Sequence, residues 1–403
     1  MSQNANAPHV VCIWELGDNL GHLTQYLPIA KALQQQGIKV SFILRDLSKA
    51  ESILGTLGCD VYQAPVWLLP MRKAPSPPVS YAEILLNYGY HNPDELAGLV
   101  KAWRAQIELL KPSLLMFDYA PTAQLATLGM GIPRTTIGGA FFIPPEKSPI
   151  PAFQQNHQIS QTRLVDNEQK VLHVINQSAH YWGGKKLNVL YELFQADEHF
   201  LCTLPELDYY HAWRVLEPYY YGPLGQDLIG VKPQWLDYGE KRGFVYLRKN
   251  HPMTLPLLVT LQEYPVSILA YVPDIDEAVV KKFDATKIRF SKRPFQMDTM
   301  VGQCDFSIYH AGHGTLSYVT AKGKPSILLP QQVEQGILAS LAKKMGVAKV
   351  VEPYFTKIQL KDLLTEAMGG EIFRKASEYE KQHPQFQPPN PLQIIIGRVV
   401  KLL

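Results

Sequence analysis

Apolar and polar positions along this chain fall into blocks, and the blocks change period. His9–Leu16 (HVVCIWEL) is short, nearly all apolar and rich in β-branched residues, as expected of a strand buried on both faces. Leu23, Leu27, Ala30 and Leu33 then recur at helical spacing as far as Gln36, and Gly37 stands where a helix C-cap needs a left-handed residue. Ile38–Leu44 reads as a second strand, so the segment is a β-α-β unit. Its parallel crossover requires a sheet of the doubly wound kind. The pattern continues with a helical region over Tyr81–Leu110, interrupted near Asn92-Pro93, and a strand over Ser113–Phe117 that ends at Asp118. A helix over Thr122–Leu128 and a strand over Arg134–Ile137 follow.

Residues 142–200 are less regular. They hold a turn with Pro144, Pro145, Pro149 and Pro151, a Gln/Asn-rich polar patch, and a helical region expected around Tyr181–Phe194. Tyr209–Tyr221 is rich in aromatics, and Gly222–Pro233 has the Gly and Pro of a linker. A second alternation predicts strands at Gly243–Leu247, Val266–Tyr271, Lys287–Phe290, Phe306–Tyr309, Ser326–Leu329 and Ala348–Val351. Pro384–Pro391 is a proline-rich break before a terminal helix over Leu392–Leu403. The expected fold class is α/β, with two Rossmann-like doubly wound domains facing a cleft. The expected division is 1–222, a linker over 223–235, a second domain over 236–385, and a helix within 386–403 that can pack back on the first domain.

Length supports two cores, since 403 residues exceed what one simple core usually serves. A formal net charge of +3 implies neither nucleic acid nor an acidic membrane as partner. Cys12, Cys59, Cys202 and Cys304 are scattered, which disfavours a disulfide framework or a zinc cluster and fits a reducing cytoplasm. Met1–Pro8 is polar and lacks a signal-peptide pattern, and no apolar run reaches the roughly 18 residues of a membrane span.

The most informative chemistry lies at Ile308–Thr315 (IYHAGHGT), where an apolar strand runs into a His- and Gly-rich turn and then a short helix expected over Leu316–Lys322. Glycines let backbone approach a bulky ligand, and the first amides of a helix suit a phosphate. The strand Ser326–Leu329 ends at Pro330, with Glu334 and Gln335 a few residues on. A carboxylate and an amide there can read hydroxyls, so the pair of strand ends points to a nucleotide-sugar donor. In the first half, His22 opens the first helix, either as a general base or as a residue satisfying local backbone groups. Asp118 ends a strand that the fold can bring beside it, either to orient the imidazole or to cap the helix near Thr122. Asp274 and Asp276 are read as caps of the helix starting at Glu277 rather than as metal ligands. His310, His313 and Cys304 lack the further ligands a zinc site needs.

These segments resemble the signatures of the GT-B glycosyltransferases of the UDP-glycosyltransferase type. The residues carrying the resemblance are His310-Ala311-Gly312-His313-Gly314-Thr315, Pro330 with Glu334-Gln335, Gly222-Pro223-Leu224 and Gly21-His22-Leu23. The resemblance implies an inverting transfer from a nucleoside-diphosphate sugar to a small-molecule, lipid or glycan hydroxyl. It implies His22 as base with Asp118 behind it. His310, Gly312, Gly314 and Thr315 would lie at the donor diphosphate, Glu334 and Gln335 at the sugar, and Phe295 against the base. No metal and no cofactor beyond the sugar nucleotide is implied. Two departures stand out. Tyr318 replaces a glutamate that many relatives place on the ribose, and Arg248-Lys249-Asn250-His251 replaces a small Ser/Gly-rich loop. These leave open a nucleotide-sugar-binding protein, or an epimerase of the same fold, with little or no transferase activity. A dinucleotide oxidoreductase would need Gly-x-Gly-x-x-Gly after the first strand, and Gly17–His22 does not supply it. Sugar, nucleotide, acceptor and oligomeric state are not legible.

Overall fold

The computed structural model describes residues 7–17, 21–68, 76–153, 159–214, 219–224, 229–352, 354–387 and 390–403. Parts of several sequence features lie outside them: residues 1–6 of the polar N-terminus, Asp18, Asn19 and Leu20 of the first turn, 154–158 of the Gln/Asn-rich patch, 215–218 of the aromatic stretch, 225–228 of the linker, and Pro388 and Pro389 of the proline-rich break. The chain divides into two compact units. The first comprises Met1–Cys202, Asp208–Tyr221 and Gln393–Leu403, and the second Thr203–Leu207 and Gly222–Leu392.

Unit 1 alternates β1 (His9–Trp14), α1 (Gly21–Gln35), β2 (Lys39–Leu44), α2 (Ala50–Leu54), β3 (Asp60–Gln63), α3 (Tyr81–Asn87) and α4 (Pro93–Leu110). It continues with β4 (Leu114–Asp118), α5 (Pro121–Thr127), β5 (Arg134–Gly138), α6 (Gln161–Trp182) and β6 (Glu198–Leu201). The strands form a six-stranded parallel sheet in the order β3-β2-β1-β4-β5-β6. This is the Rossmann order, and the strand sequence reverses between β1 and β4. β1 and β4 are buried throughout, as a central parallel strand with helices on both faces must be.

Unit 2 contains β7 (Lys241–Tyr246), α7 (Thr254–Leu261), β8 (Val266–Tyr271), α8 (Glu277–Val280), β9 (Ile288–Ser291), α9 (Met297–Gln303) and β10 (Phe306–Tyr309). Then come α10 (His313–Ala321), β11 (Ser326–Leu328), α11 (Val333–Met345), β12 (Ala348–Val350), α12 (Lys357–Gly369) and α13 (Glu371–Gln382). Its parallel sheet runs β12-β11-β10-β7-β8-β9, so the same order recurs with the reversal between β7 and β10. Val245, Ile268, Ile308, Ile327 and Leu364 are among the fully buried side chains of its main core. The terminal helix α14 (Asn390–Leu402) belongs mostly to unit 1, where Arg398 pairs with Glu198 at 2.8 Å.

The structure corrects the helix expected around Tyr181–Phe194. The long helix is α6, and only a 3-10 turn, Leu190–Phe194, lies further on. Ser160 caps it by accepting from the Arg163 amide, and Gly183, at φ 69°, ends it. Its buried stripe includes Glu168, which accepts from the Ser148 hydroxyl and the Ile150 amide, so a carboxylate on the inner face masks the apolar period. β3 and β6 also lie outside the expected strands. Both are edge strands, half solvated and therefore without an apolar run. Helix α10 begins at His313 rather than Leu316. Asp276 occupies the N-cap position of α8 but its side chain makes no capping bond, and it lies 3.8 Å from the Lys249 ammonium.

Two buried polar groups tie α1 and α5 to the centre of the first sheet. The Tyr26 hydroxyl reaches the carbonyls of Ile13 on β1 and Met116 on β4, each at 3.0 Å. Glu15, just past β1, accepts from the amides of Thr122 (2.8 Å) and Ala123 (3.1 Å), satisfying donors that the first turn of α5 leaves open. Burial pushes the Glu15 carboxyl up to about 7, against the opposing pull of the Thr122 and Ala123 bonds and the Arg45 charge. A carboxyl raised in the folded state favours folding most below its ordinary value near 4.5, and that contribution is lost as pH rises through about 7. Glu15→Gln removes the titration while keeping an acceptor. Across pH 5 to 8, wild-type stability should therefore decline relative to the variant by on the order of 3 kcal/mol. Parallel urea curves for the two proteins with the same pH dependence would contradict this.

Candidate functional site

In unit 1 the parallel register pairs Trp14 with Asp118, so the carboxyl ends of β1 and β4 finish side by side. The chain leaves β1 through Glu15, Leu16 and Gly17 and enters α1 at Gly21, which puts His22 in the first helical turn. A bond from the Leu16 amide to the Tyr119 carbonyl, 2.9 Å, holds the two strand ends together. Here His22 Nδ1 lies 2.7 Å from Asp118 Oδ2, with His22 8% exposed and Asp118 fully buried. An ionised carboxylate only accepts, so Nδ1 carries a proton and donates it to Asp118. The alternative reading of Asp118 as a helix cap is not realised, because Ala120 is the N-cap of α5 and Glu15 takes the amides.

Aromatic rings fix the imidazole plane. Trp14 stacks on it with centroids 5.1 Å apart and planes 17° apart, and Phe142 meets it edge-on at 5.2 Å. Tyr119, held at φ 48°, lies 6.4 Å away. Gly17 faces Nε2: at φ 83° it adopts a left-handed conformation, and a Cβ there would stand 2.7 Å from that nitrogen. Glu15, Gly17 and Gln25 were not among the sequence-expected site residues. Gln25 had a signal, three residues after His22 on the same helical face. Its side-chain amide is a second donor to Asp118 Oδ2.

In unit 2 the ends of β7, β10 and β11 converge on His310. Its Nδ1 lies 2.7 Å from the Leu329 carbonyl and its Nε2 lies 2.7 Å from the Arg248 amide nitrogen. The carbonyl requires Nδ1–H, so Nε2 is the acceptor of the Arg248 N–H. Burial lowers the His310 pKa, opposed by the Leu329 bond and assisted by the nearby His251 ring and Arg248 charge. The ring is therefore neutral, and both nitrogens are committed to backbone. In this arrangement the His310 imidazole has no N–H left over beyond its backbone partners. It fastens the turn after β7, where His251 stacks obliquely at 5.7 Å and accepts from the Met253 amide.

After His310 the chain passes through Ala311 at φ 63°, a conformation a non-glycine residue adopts only when its surroundings force it, and Gly312 becomes the N-cap of α10. Gly312 needs glycine for neither backbone nor packing: its φ is −60° and a Cβ would touch nothing within 4 Å. The amides of His313, Gly314 and Thr315 form the first turn, and no side chain caps it. Glu334 and Gln335 lie in the first turn of α11, where Gln335 Oε1 accepts from the Gln331 amide at 2.8 Å. Phe295 packs half-buried against a small core of Phe244, Leu269, Met300 and Cys304, its ring 6.2 Å from Phe244. Tyr318 is buried at 1% exposure. Among the described residues no group of three or more His, Cys, Asp or Glu side chains could hold a metal ion, and no helix is long and apolar enough to cross a membrane.

No protein-family model and no curated protein matches the chain. Solved structures do. A glycosyltransferase of kitacinnamycin aligns over 99% of this chain and 100% of its own at 16% identity and a TM-score of 0.71. The glycosyltransferase VinC, solved with DTDP, aligns over 98% and 99% at 16% identity and a TM-score of 0.67. A UDP-glucosyltransferase from Polygonum tinctorium aligns over 99% of each chain at 17% identity and a TM-score of 0.66. At these identities the similarity establishes architecture: the chain has the two-unit, doubly wound GT-B fold of glycosyltransferases along nearly its whole length.

Proposed function

We propose that the protein is an inverting glycosyltransferase that moves a sugar from a nucleoside-diphosphate donor to an acceptor hydroxyl. The observation that carries this reading is the His22–Asp118 pair, an imidazole whose Nδ1 lies 2.7 Å from a buried carboxylate, placed at the strand-order reversal of unit 1. In the reaction the acceptor oxygen bonds to the anomeric carbon as its proton passes to His22 Nε2. The bond from that carbon to the diphosphate oxygen breaks, and the electron pair leaves with the nucleoside diphosphate. Attack opposite the leaving group inverts the configuration. Asp118 stabilises the imidazolium that forms, a role that needs a charge and a fixed orientation.

Unit 2 supplies the donor side in this reading. The first-turn amides of α10 meet the growing negative charge of the diphosphate, and Gly312 and Gly314 let it come close. His310 acts indirectly, by holding the Arg248 turn against the end of β10. Glu334 and Gln335 read sugar hydroxyls from the start of α11, with Gln335 exchanging its Gln331 contact for the sugar, and Phe295 borders the nucleoside base. The donor charge is handled by backbone and side chains without a metal. Four free cysteines suit a cytoplasmic setting. A binding protein of the same fold is the second reading, favoured by one observation: His310 is committed to backbone through both ring nitrogens.

Titration calorimetry with UDP and dTDP tests the donor side. At least one should bind the wild type, and His310→Ala should bind it several-fold more weakly; a wild type that binds neither contradicts the donor site. For the base, His22→Ala should lower kcat by about two to four orders of magnitude with donor affinity little changed, and Asp118→Asn should lower it less. A His22→Ala enzyme with normal turnover removes the base, and a wild type that binds donor but transfers to no acceptor selects the binding-protein reading. Gly17→Ala places a methyl against Nε2 in a backbone conformation unfavourable to alanine. It should reduce kcat by roughly a hundredfold or more while leaving nucleotide binding intact. Wild-type turnover in that variant would show that Nε2 is not the working nitrogen.

A further inference from the structure

Asp118 Oδ2 receives two donors, not one. His22 Nδ1 and the Gln25 side-chain amide both reach it, from positions three apart on α1, while Asp118 itself is fully buried. Residues at that spacing share a helical face. Tyr26, the next residue, fixes the helix to β1 and β4 through its hydroxyl, so the geometry of the two donors is set by the backbone as well as by the rotamers. Gln25 is only half-buried, so its amide could hydrogen-bond to water. It points instead at a carboxylate that already has an imidazole partner.

We propose that Gln25 is a positioning residue for the base: it locks the Asp118 carboxylate in register with His22 and draws off part of its charge, which keeps His22 neutral at working pH. This rests on the reading of His22 as general base. A carboxylate whose charge is shared with a second N–H stabilises an imidazolium less than one bonded to the imidazole alone. Asp118 alone would hold His22 tightly but would also bias it toward the protonated form, which cannot accept a proton. Gln25 separates the two effects, supplying orientation without full electrostatic pull.

Other titratable groups lie on the neighbouring elements. Glu15 lies past the end of β1, and its buried carboxyl titrates near neutrality. Tyr26 on α1 and Cys202 after β6 are both pushed up, by burial first and by the Asp118 charge in addition, so both stay neutral. Cys12 on β1 is raised by burial. Tyr119 borders the imidazole after β4. Glu15 therefore contributes a background common to every Gln25 variant, and the comparison is between variants rather than against a reference imidazole.

The test is the His22 titration, followed by the imidazole resonances of the full-length protein without substrate, in wild type, Gln25→Met and Gln25→Glu. Gln25→Met keeps length and removes the donor; Gln25→Glu adds a second carboxylate. The midpoint should rise from wild type to Gln25→Met by about half to one pH unit, and further in Gln25→Glu. The acid limb of kcat/KM should move by the same amounts, with the KM for the donor unchanged. Coincident titrations of wild type and both variants would overturn the proposal, as would a downward shift. If Gln25→Met does not fold, Gln25→Glu against wild type carries the same sign. The two readings fail separately. Unshifted midpoints in an enzyme that transfers sugar through His22 defeat the Gln25 role alone. Shifted midpoints in a protein without transferase activity defeat the function and leave the electrostatic coupling.

Discussion

The hydrogen bond between His22 and Asp118 is the constraint on which the first unit turns. It exists because β1 and β4 are parallel neighbours in a register that sets Trp14 beside Asp118. A one-residue slip would turn Asp118 to the opposite face of the sheet. The surrounding features guard that register. Leu16 and Tyr119 join the two strand ends through backbone, Glu15 ties the exit of β1 to the start of α5, and Tyr26 fastens α1 to both strands. Unpaired, the buried carboxylate would be costly, and His22 and Gln25 both donate to its Oδ2.

The second unit repeats the arrangement with different chemistry. Its strand order also reverses once, between β7 and β10, and there too a histidine bridges the two strand ends. In unit 1 the bridge is side chain to side chain, and Nε2 of the ring faces Gly17. In unit 2 it is side chain to backbone on both ring nitrogens, and the half-buried first turn of α10 after Gly312 has no side-chain cap. One fold supplies two similar crevices.

The buried strands were legible in the sequence because burial on both faces demands continuous apolar runs, and β8 and β10 match their expected bounds to the residue. Edge strands β3 and β6 were not, because solvent on one side permits Asp60, Gln63, Glu198 and His199. Helix α6 was obscured by Glu168 on its inner face. At the sites, His22 and His310 were visible as histidines at strand-to-helix turns. Their partners differ in legibility for a physical reason. Gln25 follows from helical periodicity, whereas the Glu15–Thr122 contact spans 107 positions and the Arg248–His310 contact 62, distances over which only the fold brings residues together.

The central claim is that the ring proton of His22 lies on the Asp118 side. Nitrogen-15 chemical shifts of the His22 ring in the wild-type protein, recorded above the pH at which it is protonated, test this most directly. The account predicts a protonated, pyrrole-like Nδ1 whose proton is shielded from exchange by the carboxylate, and a pyridine-like Nε2. A ring protonated at Nε2, or a rapidly exchanging mixture of the two tautomers, would contradict it.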